Sequence, residues 1–310
     1  QVYFGGIFFS VIYNMSAGIL NAVGNSRRSL IYLIIAAVSN IFLDIFFVVI
    51  LKMGIIGAAL ATDISQLLSC IFILGFLMRS QESYHVRLRD IRFYDNLLGR
   101  ILKIGLPTGF QNIVISISNV IVQSSVNSFG AVVMAGYAAY VKVDGFNILP
   151  VLSFSMAATT FVGQNYGAGR NDRIKSGYKA GLVISAIVAV PFILCFFCMP
   201  KTMINLFLDD GGTKAVEIGT TFLRIISPFY VFVGIKIMSD GALRGKGAMQ
   251  YFMISTFTDL ILRVVLAFVL ARPYGSTGIW LSWPIGWLVS TVLSVVFARV
   301  KVMKKELNEE

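Results

Sequence analysis

Leu30-Ile31-Tyr32-Leu33-Ile34-Ile35-Ala36-Ala37-Val38-Ser39-Asn40-Ile41-Phe42-Leu43-Asp44-Ile45-Phe46-Phe47-Val48-Val49-Ile50-Leu51 is an apolar run with Asp44 as its one ionisable side chain. About 20 such residues cross the hydrocarbon core of a bilayer as a helix. Residues 31–39 do not alternate apolar with polar groups, which rules out a strand of a membrane β-barrel. Similar stretches lie at about 1–22, 55–79, 103–128, 131–161, 178–199, 217–240, 249–271 and 277–299, so nine candidate spans are predicted. The bulk composition agrees. The chain is 57% hydrophobic and 13% charged, with a mean hydropathy of +0.80, whereas a soluble domain carries about 25% charge. The expected fold class is therefore all-α, a polytopic transmembrane helical bundle.

The net charge of +11 invites a nucleic-acid partner, but the cations sit in short segments between apolar runs. Of the 26 lysines and arginines, 18 fall on alternate connections that begin at Arg27 and Arg28 and include the long segment 80–101 and the C-terminal end. Only Lys52, Lys201, Lys214 and Arg272 fall on the other set. The positive-inside rule then predicts that segment 80–101 and the C-terminus are cytoplasmic, with no nucleic-acid partner. Cys70, Cys195 and Cys198 lie within apolar runs. The Cys195-x-x-Cys198 pair has neither a second cysteine pair nor a histidine nearby, so small packing residues are expected, not a metal or redox centre.

The chain also repeats itself. Met15-Ser16-Ala17-Gly18-Ile19-Leu20 followed by Gly24 matches Met238-Ser239-Asp240-Gly241-Ala242-Leu243 followed by Gly247, five identities at an offset of 223. Gly54, Gly57 and Leu60 match Gly275, Gly278 and Leu281 at an offset of 221. The offset covers an even number of spans, so both copies face the same way, and a site is expected between the two halves. The predicted layout is a partial N-terminal lobe at 1–79, a cytoplasmic interlobe loop at 80–101, a six-span C-terminal lobe at 102–302 and a tail at 303–310. The same arithmetic predicts twelve spans in two pseudo-symmetric six-helix lobes, nine of them in this chain.

Several motifs resemble the multidrug and toxic compound extrusion family of cation-coupled efflux transporters. Ile104-Gly105-Leu106-Pro107-Thr108-Gly109 opens the C-terminal lobe. Phe161-Val162-Gly163-Gln164-Asn165-Tyr166-Gly167-Ala168-Gly169-Arg170 closes its second helix and is the most specific of them. Leu243-Arg244-Gly245-Lys246-Gly247 and Gly54-Ile55-Ile56-Gly57-Ala58-Ala59-Leu60-Ala61-Thr62 add to the resemblance, which runs through essentially the whole chain. It implies two lobes around a central cavity, alternating access, and export of organic cations or other amphiphiles driven by proton or sodium influx. It also implies a plasma-membrane location. The family's coupling acid lies on its first helix in one branch and is a glutamate on its seventh in another. Here the seventh-helix equivalent, 103–128, contains no acid.

Ionisable groups inside a span are costly, so each needs a partner or a water-filled cavity. Asp144 lies near the middle of its span, and Tyr137, Tyr140, Asp144 and Asn147 recur at spacings of 3, 4 and 3, on one helical face. Such a face suits amphipathic cations. It equally suits a structural acid that is hydrogen-bonded or neutralised by Lys142. On the preceding span Asn112, Ser116, Asn119, Gln123 and Asn127 repeat at 4, 3, 4 and 4. Lipid cannot satisfy these amides, so they are expected to face water, substrate or another helix.

Asp44, which shares a face with Asn40, is a further cation-site candidate. The i, i+4 pairs Asp259/Arg263 and Lys236/Asp240 are expected to be self-neutralising, the second by snorkelling at the cytoplasmic end. Pro107 and Pro150 are candidate hinges. The expected partners are amphiphilic small molecules, a coupling proton or sodium ion and membrane lipids, with no further cofactor and a monomeric protein. An intramembrane enzyme lacks support: no span contains a histidine, and neither H-E-x-x-H nor a Walker A loop is present. The remaining alternative is a flippase for a lipid-linked saccharide precursor, with Arg224 and Arg263 meeting a pyrophosphate.

Overall fold

The computed structural model describes residues 2–208 and 212–303. Apart from Met303, the expected tail at 303–310, with Lys304 and Lys305, lies outside the described residues. Every regular element among the described residues is helical, and nine helices there are long and apolar enough to cross a membrane. They are α1 (Tyr3–Ala22), α2 (Ser26–Ile50), α3 (Gly54–Arg79), α4 (Leu97–Asn127), α5 (Ala131–Gly167), α6 (Asn171–Cys198), α7 (Gly212–Gly245), α8 (Met249–Tyr274) and α9 (Ser276–Met303). The chain divides between Tyr94 and Asp95 into two compact units, the first with three of these spans and the second with six.

Several helices run further than the apolar stretches suggest. The helix containing α4 begins at Asp95, inside the expected 80–101 loop, and α5 and α7 extend beyond their apolar windows. Hydropathy marks the hydrocarbon slab, whereas a helix continues until its backbone is capped. Gly169 (φ +68°) and Gly247 (φ +79°) end α5 and α7 in the left-handed conformation that glycine tolerates.

In the first unit Tyr13, Ala17 and Leu20 of α1 pack against Ile73 and Leu77 of α3, with Tyr32 and Phe76 at the edge. The Tyr13 hydroxyl donates to the Ser29 carbonyl at 3.1 Å. Gly6 permits the close approach of α1 to α3, because a Cβ there would collide with the Asp63 carboxylate. Most of α2 is exposed, including Ile41, Phe42, Val49 and Ile50, as suits a surface that meets lipid. Segment 80–94 folds back on this unit: Val86 N–H donates to the Leu77 carbonyl at 3.2 Å, and His85 Nδ1–H donates to the Ser80 carbonyl at 2.6 Å.

In the second unit α7 is central, packed on α5, α6 and α9. Small residues set the α5–α7 distance at both ends. A Cβ on Gly136 would lie 2.6 Å from the Ala215 carbonyl, and one on Gly241 would lie 2.6 Å from the Ser155 carbonyl. The close backbones let Ser155 Oγ donate to the Ile237 carbonyl (3.1 Å) and Thr159 Oγ1 to the Gly241 carbonyl (3.0 Å). In a bilayer, such packing and hydrogen bonding replace the hydrophobic drive between helices. Pro228 has no N–H to donate, and α7 passes through a 3₁₀ turn at Ser227–Phe229 before resuming as α-helix at Tyr230. By contrast, Pro107 and Pro150 sit within uninterrupted helix.

The repeated segments have matching backbones. Gly24 (φ +81°) and Gly247 (φ +79°) each close a turn in which the next N–H bonds back five residues, Asn25 to Leu20 at 2.8 Å and Ala248 to Leu243 at 2.9 Å. Gly54 (φ +57°) and Gly275 (φ +59°) stand at the start of α3 and α9 with nearly equal positive φ. Three residues on, Gly57 and Gly278 both press against the end of the preceding helix, where a Cβ would crowd Phe47 and Leu270 respectively. The glycines matched at the turns thus share a positive φ.

Candidate functional site

A cavity of about 620 Å³ opens within the second unit, lined by α4, α5, α7, α8 and α9. Six of the residues singled out from the sequence line it: Asn112, Asn119, Gln123, Tyr137, Tyr140 and Asp144. The helical periods explain this convergence. The 3–4 spacing on α5 puts the tyrosines and Asp144 on one wall, and the amide stripe of α4 forms another. Asn112 and Asn119 are exposed toward open space, while Gln123 Nε2–H donates to Asn127 Oδ1 on its own helix at 2.8 Å.

Ser116 and Asn127 of the stripe are off the lining, and two further candidates, Asn147 and Asp44, lie elsewhere. Asn147 is buried beside the cavity, not on its lining, and neither of its side-chain polar atoms has a partner among the described residues. It is offset from Asp144 by one turn, but α5 rotates it into the packed interior. Asp44 belongs to the first unit, half-buried on α2, and does not line this cavity.

Asp144 is held by the Tyr230 hydroxyl, which donates to its Oδ1 at 2.6 Å. Lys142 does not neutralise it. That side chain is exposed, with Nζ 5.8 Å from the Phe207 ring centroid, because two residues along a helix point to different faces. Tyr137 and Tyr140 are fixed by aromatic packing. Tyr137 stacks on Trp280 (5.7 Å, 4°), and Phe222 stacks on Trp280 in turn (4.1 Å, 19°). Packing of this kind favours one orientation of the rings, which lowers the ordering cost of binding.

Of the six charged residues that line the cavity, sequence reasoning placed only Asp144 among the transport-site candidates. Lys236 Nζ pairs with Asp240 at 2.9 Å and Arg263 with Asp259 at 3.1 Å, and both pairs, with Arg244, line the same cavity. Lys236 and Asp240 are 7% and 4% exposed, so they do not snorkel. Asp240 also accepts from Ser294 Oγ at 2.6 Å, which locks α7 to α9. Arg244 belongs to α7, not to a connection: its guanidinium donates to Ser155 Oγ and lies 5.0 Å from the Phe252 ring centroid. Mid-span charges avoid lipid and so were bound to face inward. That signal was present in the sequence, but only the packing of α7 and α8 shows which interior they reach.

The cavity lining therefore holds three acids (Asp144, Asp240, Asp259) and three cations (Lys236, Arg244, Arg263). Among the described residues, its buried polar atoms without a hydrogen-bond partner are Arg263 Nε, Arg244 Nε, Trp283 Nε1, Thr256 Oγ1 and Asp259 Oδ1. A second cavity, lined by Lys201, Glu217, Thr220 and Arg224, lies at the start of α7.

Residues 107–269 match the family model described as MatE. The chain is 30% identical over 300 residues to the probable multidrug resistance protein YpnP of Bacillus subtilis (strain 168), covering 96% of this chain and 66% of that protein. It is 27% identical to the probable multidrug resistance protein NorM of Thermotoga maritima, covering 94% of this chain and 64% of that one. The chain thus spans just under two thirds of the length of these relatives. A solved structure described as the outward-facing conformation of a multidrug resistance MATE family transporter of the MOP superfamily superposes with a TM-score of 0.91. The identity there is 23%, with 97% of this chain and 68% of the other covered, a likeness of fold.

Proposed function

This chain belongs to the MatE family, and from that premise we propose that the protein is a secondary efflux transporter. It exports amphiphilic small molecules across the plasma membrane by alternating access, in exchange for protons or sodium ions. The observation that carries this reading is Asp144, a carboxylate on the wall of a membrane-level cavity beside two tyrosines, held in place by Tyr230. An acid so placed can exchange a coupling cation for the cationic part of a substrate, which is the usual work of intramembrane acids. The similarity to multidrug resistance proteins supports transport over enzymatic chemistry.

In this proposal the basic segment 80–101 and the C-terminus face the cytoplasm. The protein works as a monomer whose partners are its substrates, the coupling ion and lipid. The flippase alternative is not favoured. It calls for Arg224 and Arg263 to meet one pyrophosphate, and the two line different cavities.

Proteoliposomes containing the full chain, loaded with an imposed pH or sodium gradient and offered a cationic fluorescent dye, test the reading. Gradient-driven dye accumulation that collapses with the matching ionophore is expected. Accumulation indifferent to both gradients contradicts it.

A further inference from the structure

The second cavity, an open recess of about 1240 Å³ at the start of α7, has a chemistry of its own. Thr213, Glu217, Thr220 and Arg224 line it from α7 at spacings of 4, 3 and 4, which is one helical face. Lys201 and Asn205, one turn apart on the short helix Pro200–Asn205, contribute a second wall. Both cations of the lining, Lys201 and Arg224, are exposed, and among the described residues neither forms an ion pair. Glu217 also lines the recess, two helical turns or about 10 Å from Arg224. Asp209 and Asp210, which follow Leu208 in the chain, lie outside the described residues.

Thr220 is an independent sign of a ligand. It is 3% exposed and lines the recess, and its Oγ1 has no hydrogen-bond partner among the described residues. A helical threonine can turn its hydroxyl back to the carbonyl one turn earlier. Thr62, Thr108, Thr159, Thr258 and Thr291 all do so here, at 2.6–3.0 Å. Thr220 instead keeps its donor free on the same face as Arg224.

Position selects the class of ligand. Arg224 lies seven residues inside the apolar run that starts near residue 217. An arginine at that depth reaches toward the phosphate layer of the bilayer or takes a counter-charge. The chain flanking the short helix exposes Phe197, Met199 and Leu206, apolar surface suited to acyl chains.

We propose that this recess holds the headgroup of a phospholipid. The phosphate accepts from the Thr220 hydroxyl and the Arg224 guanidinium, one turn apart on α7, with Lys201 supplying charge from the second wall. Hydroxyl groups of the headgroup donate to Glu217. In the topology proposed above the lipid belongs to the outer leaflet, and the site does not depend on what the central cavity carries.

Native mass spectrometry of the full chain, delipidated in detergent and titrated with dioleoylphosphatidylglycerol, reads the affinity of the first lipid bound. Dioleoylglycerol, which has the same acyl chains and no phosphate, and inorganic phosphate are run in parallel. The phospholipid is expected to bind at least about tenfold more tightly than dioleoylglycerol. Arg224→Gln is expected to lower its affinity by about tenfold. Thr220→Val, which keeps the size and removes the hydroxyl, lowers it by a smaller factor. Lys214→Gln removes a nearby exposed cation that does not line the recess, and leaves the affinity unchanged. Arg224 and Lys214 are both exposed, so neither substitution disturbs packing, and their difference separates a built site from attraction to net charge. Equal effects of the two substitutions, or no effect of Arg224→Gln, overturn the site. Dioleoylglycerol binding as tightly as the phospholipid overturns the role of the phosphate. Inorganic phosphate that displaces the lipid and depends on Arg224 in the same way overturns the lipid and assigns the recess to a soluble phosphate.

Discussion

Tyr230 donates a 2.6 Å hydrogen bond to Asp144, and it is also the first residue of α7 after the 3₁₀ turn at Ser227–Phe229. The acid on the cavity wall is thereby tied to the one interruption in the most buried span among the described residues. A 3₁₀ stretch inside a longer helix is a common hinge site. Cation or substrate exchange at Asp144 would then be felt directly at the break in α7.

Tyr230→Phe tests that tie. The ring keeps its contacts with Phe196 and Trp287, at 5.9 and 6.0 Å between centroids, and only the donor is lost. A hydrogen bond to a charged group is worth about 1.5–3 kcal/mol. Gradient-driven export should fall by about tenfold or more, while thermal stability in detergent drops only by what one lost hydrogen bond accounts for. Unchanged export would show that the bond is incidental.

The α5–α7 contact should tolerate no added bulk. Gly241→Leu drives a side chain into Ser155 and Ala158, and Gly136→Leu does the same at Ala215 and Gly219. Each should destabilise by at least the 1–3 kcal/mol typical of overpacking, read as a lower melting temperature in detergent. Gly18→Leu is the control, since a Cβ at Gly18 meets nothing within 4 Å in the first unit.

Arg263 and Asp259 should behave as a buried pair whose loss is asymmetric. Removing Arg263 alone leaves a carboxylate 4% exposed and uncompensated, at a cost of about 3–5 kcal/mol. Asp259→Leu with Arg263→Met removes both charges and should recover most of that stability. A double-mutant cycle on thermal unfolding measures the coupling; additive losses would contradict the pairing.

The nine spans and the face bearing Tyr137, Tyr140 and Asp144 were legible in the sequence, because a bilayer imposes both a length and a helical period on the chain. Asn147 was misplaced because one face of a helix spans an arc, and packing against α7 decides which part of it opens to the cavity. The Lys236/Asp240 and Arg263/Asp259 pairs were legible as pairs, but not their place on the cavity lining. Spacing along one helix reports self-pairing, but the cavity the pairs line is completed by three other helices. Of the alternatives left open for Asp144, neutralisation by Lys142 drops out, because the turn of the helix carries that side chain outward.

Orientation has its own check. In a background with Cys70, Cys195 and Cys198 replaced by alanine, Arg87→Cys should resist a membrane-impermeant thiol reagent added to intact cells, and Lys201→Cys should react. The reverse pattern would invert the proposed topology.

The most direct test of the account is gradient-driven dye accumulation by Asp144→Asn in proteoliposomes of the full chain. Asparagine keeps the size and can still accept from the Tyr230 hydroxyl, so a steric or hydrogen-bonding role survives the change and only the charge is lost. If Asp144 is the coupling acid, the variant binds dye but accumulates none when a pH or sodium gradient is imposed. Accumulation at the full rate of the unmodified protein would contradict the account and place the coupling acid elsewhere.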